Sequence, residues 1–328
     1  MMSFKAKQQG FTLVEIMIAM MLGLLLTGAM LTMLSQARQS FRQDEMVASM
    51  YDESRFGIRE LTRDLNMAGF MGDILAPGSI AMDASLAIGV DCDTAGGADW
   101  AYSLTEAGTG EDTSLMALDN ITTAAAVAQF SCLTASELVA GTDIVSIKRL
   151  AAGTTDDVAD GSAAIRTNGT VGALYVEPIS GAVPAPFDDW LYTPSVYFIR
   201  AYSNEVGDDI PALCRKVLVA GVAAPSMQTD CIAQGVEDLQ IEYGVDSSGD
   251  GSVNAYVTDP SQAELDSTIS VRIFLLARVS ADDGSFENSK TYVLSNADEF
   301  TPDDNVRRRV YTTTVAVPNL RNRLLVGL

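Results

Sequence analysis

Glu15 is the residue whose setting most needs explaining. It is the one ionisable side chain in an apolar run from Phe11 to Leu34. A carboxylate inside hydrocarbon costs roughly 2.5–3.5 kcal/mol on insertion scales, so it persists where a partner of opposite charge meets it. A second candidate lies far downstream, in Asp246-Ser-Ser-Gly-Asp-Gly-Ser-Val-Asn254. The opening of a calcium loop, D-x-[DN]-x-[DN]-G, places oxygens at positions 1, 3 and 5 and a carbonyl at 7, with glycine at 6 for the sharp turn. Asp246, Asp250 and Gly251 fit positions 1, 5 and 6; Ser248 stands at 3, and Ser252 offers the carbonyl. The bidentate Glu of position 12 is replaced by Val257, with Asp259 two residues further on. A polar hairpin turn between Gln240–Val245 and Val253–Val257 explains the same residues equally well.

Four cysteines, Cys92, Cys132, Cys214 and Cys231, all follow the apolar run, on what is expected to be an oxidising side of a membrane. Three connectivities are open to them. The sequential one, Cys92–Cys132 with Cys214–Cys231, closes loops of about 40 and about 17 residues, each worth roughly 3–4 kcal/mol in the loop-entropy model. The chain contains no histidine, which removes Ser-His-Asp and Cys-His catalysis and every histidine-ligated metal. No G-x-S-x-G, P-loop or G-x-G-x-x-G occurs either. An enzyme has only scattered carboxylates to work with, and none is expected. Lys and Arg number 21 against 43 Asp and Glu, for a net charge of −22. So acidic a surface repels nucleic acid and anionic lipid, and direct binding to DNA is not expected.

The elements that position these groups begin with the apolar run. Thr12–Leu34 as a helix spans about 35 Å at ~1.5 Å per residue, and a bilayer core needs around 20 such residues. Lys5 and Lys7 precede it and no basic residue recurs until Arg38. The short leader is therefore expected in the cytoplasm and the bulk of the chain outside. A secretory signal is cut beyond its apolar core. Here the candidate cleavage point, Gly10, lies before it, so cutting leaves a mature chain that keeps its membrane segment.

No proline interrupts Ser35–Ala68. Val47, Met50, Ser54, Ile58, Leu61, Leu65 and Ala68 recur at intervals of three and four, one face of a helix, while Arg55, Arg59, Glu60, Arg63 and Asp64 are assigned to the other faces. Gly69 and Gly72 end it. Beyond, residues 73–120 read as loops with short strands. Clear strands are expected at Asp143–Leu150, Ala173–Glu177, Val196–Tyr202, Leu213–Val219, Val236–Val245, Ile269–Val279, Thr291–Leu294 and Arg309–Val317. Asp-Asp doublets at 156–157, 188–189, 208–209, 282–283 and 303–304 read as solvated turns. The expected fold class is α+β: a long N-terminal helix, its first half spanning the membrane, packed on a large antiparallel β-rich domain. The expected divisions are 1–10 leader, 11–34 membrane helix, 35–70 amphipathic continuation and 71–328 β-rich domain. A further subdivision is expected near 190, where Val183–Pro194 holds three prolines and a doublet.

The order of basic leader, Gly10, Phe11 and apolar helix resembles the class III signal of type IV prepilins and pseudopilins. Three stretches are similar to the PilW family of type IV minor pilins. They are GFTLVEIMIAMMLGLLL with RFGIRELTRDLNMAGFMG, then VEDLQIEYGVDSSGDGSVNAY, then RRRVYTTTVAVPNLRNR, the last departing from the usual form at Val317 and Pro318. The resemblance implies cleavage after Gly10 by a prepilin peptidase and N-methylation of Phe11. It also implies that Glu15 meets the free α-amino group of a neighbouring subunit. The implied role is a minor pilin in a complex that primes pilus assembly and sits at the tip, with other minor pilins, the major pilin and an adhesin-like tip protein as partners. The subunit is expected in the inner membrane with a periplasmic domain, then in the pilus at the cell surface. A minor pseudopilin of a type II secretion system and a membrane-anchored binding module are the alternatives. No cofactor is expected apart from the candidate calcium.

Overall fold

The computed structural model describes residues 10–74, 77–82, 86–92, 100–105, 113–178, 186–282, 284, 286–295 and 298–320. Lys5 and Lys7, residues 183–185, Asp283 and the closing Arg321-Asn322-Arg323 lie outside the described residues. One helix, α1 (Leu13–Asn66), opens the chain, which divides into two units between Ala48 and Ser49.

In the first unit the helix presents its apolar side chains outward: Leu13, Leu24 and Met33 are each more than 70% exposed. Among the described residues α1 is the one helix long and apolar enough to cross a membrane. Its hydroxyls are satisfied from within, Thr27 donating to the Gly23 carbonyl at 2.7 Å and Thr32 to that of Ala29 at 2.8 Å. Such local bonding is what hydrocarbon demands of a polar group.

The second unit is built on antiparallel strands. In chain order they are β1 (Ile80–Met82), β2 (Leu115–Ile121), β3 (Thr142–Ile147), β4 (Ala163–Thr167), β5 (Gly172–Val176), β6 (Asp188–Leu191), β7 (Ser195–Arg200), β8 (Ala212–Val219), β9 (Ser226–Gln234) and β10 (Val236–Val245). They continue with β11 (Ala255–Val257), β12 (Thr268–Arg278), β13 (Tyr292–Val293), β14 (Glu299–Phe300) and β15 (Arg308–Ala316). Two short helices, α2 (Thr123–Gln129) and α3 (Gln262–Asp266), sit in connections. The five-stranded sheet runs β2-β3-β7-β8-β9 and a four-stranded sheet runs β11-β10-β12-β15. A second four-stranded sheet, β1-β5-β4-β6, holds the parallel pair β1–β5, and β13 pairs with β14.

The two large sheets are joined by one residue. Gly235, between β9 and β10, takes φ +70°, and a Cβ there would lie 2.5 Å from the Arg278 carbonyl oxygen. Only glycine lets the chain turn the corner so close to β12. In β10, Leu239, Ile241 and Tyr243 alternate into the core with Val271, Ile273 and Leu275 of β12, all 1% exposed or less.

Within this unit the end of α1 lies on the sheets through Met50, Ser54, Gly57, Leu61, Asp64 and Leu65. Leu61 and Leu65 are wholly buried, each worth roughly 1.5–3 kcal/mol. At Gly57 an added Cβ would sit 2.9 Å from Ala233 Cβ and 3.2 Å from a Leu213 methyl, so the helix backbone lies directly on β8 and β9.

The structure corrects the sequence reading in four places. The helical stripe runs through Gly57 and the acid Asp64, where Ile58 and a solvent-facing Asp64 were expected; Ile58 is only half-buried. Asp188 and Asp189 lie in β6, not in a turn, because Arg166 of β4 grips the Asp189 carboxylate at 2.7 and 2.6 Å. β4 and β9 were not expected at all, and neither were α2 and α3. The helix stops at Asn66, two residues before Ala68.

Candidate assembly helix and its anchorage

Gly10 and Phe11 are exposed just ahead of α1, Phe11 at 83%. The next residues build a capping box. The Thr12 N–H and hydroxyl both donate to Glu15 Oε2 at 2.8 Å, and the Glu15 N–H donates back to Thr12 Oγ1 at 3.3 Å. The carboxylate thus satisfies its own helix N-terminus, where negative charge is favoured. Two observations coincide at Glu15: it caps α1, and it lies on an apolar, outward-facing surface. The T-x-x-E spacing of Thr12 and Glu15 signals this cap in the sequence, though it was not read there.

At the other end, Asp64 anchors the helix. It is 3% exposed. Its Oδ1 accepts from Arg149 Nε at 3.0 Å and Nη2 at 2.6 Å, and its Oδ2 accepts from the Tyr197 hydroxyl at 2.6 Å, with Arg215 Nη1 at 3.5 Å. Arg215 in turn bonds Tyr197 Oη at 3.2 Å and Asp230 at 3.0 Å. Burial and the neighbouring Asp64 push the Tyr197 hydroxyl well above its ordinary range, so it stays a donor. One helical carboxylate therefore meets two guanidiniums from different parts of the five-stranded sheet and the connection after β3. Two asparagines add backbone bonds nearby: Asn66 donates to the Ala316 carbonyl at 3.0 Å and Asn319 to that of Asn66 at 3.2 Å.

Next to this anchor Lys148, with no exposed surface, directs Nζ to the Ser103 carbonyl at 2.6 Å and Thr113 Oγ1 at 3.0 Å, above the Trp100 ring at 4.5 Å. Burial lowers its pKa to about 7, against the pull of Asp91. The cysteines form two bridges. Cys92–Cys132 ties the segment before Trp100 to the end of α2, and Cys214–Cys231 crosses between β8 and β9.

The Asp246–Asn254 loop is a hydrogen-bonded turn. Asp246 Oδ1 accepts from the N–H groups of Gly249 and Asp250 at 2.7 and 3.2 Å and from the Ser248 hydroxyl at 3.2 Å. Its Oδ2 accepts from Gly251 N–H at 2.6 Å, and Asp250 Oδ1 accepts from Ser252 N–H at 2.8 Å. Burial pushes the Asp246 carboxyl up, and the Gly251 and Gly249 amides more than reverse this, leaving it below its ordinary value. Among the described residues no three Asp, Glu, Cys or His side chains converge at metal-holding distance. Both Asp246 oxygens accept N–H donors here, and Val257 stands at position 12, where the calcium-loop pattern has its bidentate Glu.

Comparison with known proteins now bears on the two ends of this framework. Residues 5–31 match the model of the prokaryotic N-terminal methylation motif. Residues 196–319, from β7 past β15, match that of type IV pilus-assembly protein W, PilW. Among solved structures, a type IV-like pilin from Thermus thermophilus is similar at 14% identity over 55% of this chain and 80% of its own, with a TM-score of 0.28. No curated protein matches. A methylation motif at the exposed apolar helix and a match to PilW over residues 196–319 mark the chain as a membrane-anchored, pilin-like protein whose C-terminal part is similar to the type IV pilus-assembly protein PilW.

Proposed function

We propose that the protein is a minor pilin whose mature chain starts at Phe11, and that it belongs to the complex that primes pilus growth and occupies the tip. Its role is structural. The observation that carries this reading is the pairing of an unburied apolar helix, closed at its start by Thr12 and Glu15, with a stiff anchorage at Asp64. The proposed divisions are the leader 1–10, the membrane and assembly helix 11–34, its amphipathic continuation 35–70 and the β-rich domain 71–328.

In the membrane, hydrocarbon covers the apolar side chains. On assembly, helix packing replaces those lipid contacts, and Glu15 exchanges its own cap for the charged α-amino group of Phe11 on a neighbour. At an effective dielectric near 20 and ~4 Å such a pair is worth about 4 kcal/mol before desolvation, enough to set register. Other minor pilins, the major pilin and an adhesin-like tip protein are the proposed neighbours.

Mass spectrometry of the membrane-purified protein, with a count of surface pili in a Glu15→Ala strain, tests the reading. A chain beginning at methylated Phe11 and reduced piliation are expected. An intact Met1 terminus with normal piliation sinks it.

A further inference from the structure

The place where the two large sheets meet is lined by carboxylates that, among the described residues, have no lysine or arginine paired with them. Asp143 of β3, 3% exposed, bridges the sheets: Oδ1 accepts from the Asn120 N–H of β2 at 2.9 Å, and Oδ2 from the Ile241 N–H of β10 at 2.7 Å. Asn120 sits in the left-handed region at φ 43°, at an irregularity in the β2–β3 register. Its amide donates to both oxygens of Asp298 at 3.1 Å. Gln240 of β10, 1% exposed, directs Nε2 to Asn120 Oδ1, the Gly141 carbonyl and Asp238 Oδ1, at 3.0–3.1 Å.

The charged groups facing this seam are these. β2 contributes Asp119, β3 contributes Asp143, and β10 contributes Asp238, with Tyr243 buried beside Asp143 and Asp119. Asp259, after β11, and Asp298, before β14, close it from the other sides. Glu237 also approaches, but Arg308 and Arg278 hold it. Among the described residues no lysine or arginine forms a salt bridge with Asp119, Asp143, Asp238, Asp259 or Asp298. Donors are short as well: Asp119 Oδ1 and Gln240 Oε1 are buried with no hydrogen-bond partner.

We propose that this seam is a proton-responsive junction between the two sheets, which tightens as the medium acidifies below neutrality and loosens as Asp119, Asp143 and Asp238 ionise. A proton removes one of several like charges and adds an O–H donor where only acceptors remain unpaired. Burial, followed by the neighbouring Asp298 and Glu237, pushes Asp238 up to about 6, against the Gln240 amide and the Leu239 N–H. Burial raises Asp143 and Asp119 too, with Asp298 and Asp259 adding to Asp119.

The sign follows from linkage. An acid whose folded pKa lies above its unfolded value, about 3.9 for Asp, binds protons more tightly when folded. Its stabilisation is complete below that unfolded value and is lost as pH rises through the folded one. The window therefore runs from about pH 4 to just above 6, and measurements from pH 5 to 7 cover the half of it nearer the folded value. Asp208, Asp246 and Asp304, whose pKa values are lowered, act in the opposite sense and only at lower pH, while Lys148 acts above 7.

The test uses the full chain in detergent, with thermal unfolding followed by circular dichroism at pH 5, 6 and 7. The wild-type midpoint should fall by about 5 °C across this range. Asp238→Asn should halve that fall and raise the midpoint at pH 7. Asp119→Asn, at a partly exposed position that anchors no backbone amide, gives the same readout if Asp238→Asn does not fold. Hydrogen exchange adds a local measure: at the higher pH the Asn120 and Ile241 amides should lose protection relative to the centre of β12. A flat wild-type profile, or variants that run parallel to wild type, overturns the proposal. Neither result bears on whether the chain is a minor pilin.

Discussion

Asp64 and Asp143 are buried to the same extent, each 3% exposed, yet they hold different joints by different means. Asp64 joins helix to sheet and meets two guanidiniums and a hydroxyl. Asp143 joins sheet to sheet and meets two backbone N–H groups, with other carboxylates for neighbours. Arginine stays charged at every accessible pH, so the two guanidiniums that face Asp64 are permanent cations. Asp143 has two amides but no cation, and burial and the neighbouring Asp119 and Asp238 charges outweigh those amides, so protonation relieves it. The helix is thus fastened by paired charges, and the sheets by a junction of acids without such pairs.

The largest expected effect comes from breaking the clamp. Asp64→Ala takes the carboxylate from Arg149 and the Tyr197 hydroxyl and leaves Arg215 with Asp230 alone, a loss of about 3–5 kcal/mol. Chemical denaturation should show it, and the pH slope between 5 and 7 should match wild type, since the seam is untouched. An unchanged midpoint would mean that the two arginines find other partners.

Lys148 offers a buried cation to set beside these acids. Its folded pKa, about 7, lies below the unfolded value, so the penalty of burying its charge is full below 7 and is relieved as pH rises toward ~10. Wild-type stability should therefore climb on the alkaline side. In Lys148→Met that climb should vanish while the acid-side fall remains, and equilibrium unfolding from pH 7 to 9 separates the two.

The smallest effect is expected at Asp246, which like Asp143 is held by amides but belongs to a turn whose residues 247–250 are exposed. Asp246→Ala should speed hydrogen exchange of Gly249 and Gly251 with little change in global stability. Calorimetry with millimolar calcium on the wild type should give no heat that this substitution abolishes.

Sequence patterning and structure agree where a residue's chemistry matches its depth. β10 occupies the Val236–Val245 span read from its apolar alternation, and β3, β5, β7, β8, β12 and β15 fall within three residues of expectation. Two of the misreadings share a cause. Asp64 and Asp189 are acids, and an acid reads as solvated until its partner is known; Arg149 and Arg166 lie 85 and 23 residues away. For Asp64 a local cue existed, since 50, 54, 57, 61, 64 and 68 keep the four-three rhythm better than the stripe through Ile58. β9, Ser226–Gln234, hides because its polar Gln228, Thr229 and Asp230 face outward from a pairing fixed by β8. Glu15 was legible as a carboxylate in need of a partner, but its cap on Thr12 is a matter of spacing rather than hydropathy.

Gly57 carries one more consequence. With no side chain between them, helix and β8–β9 hairpin touch backbone to side chain, and Leu61, Asp64 and Leu65 continue the contact along the same line. Tension along the helix axis loads these contacts in shear, all at once, instead of peeling them one by one. Resistance to such pulling is governed by the unfolding barrier rather than by equilibrium stability. A bulky residue at 57 would prise the helix off the hairpin and turn a shear joint into a hinge, so its signature would be a lower rupture force.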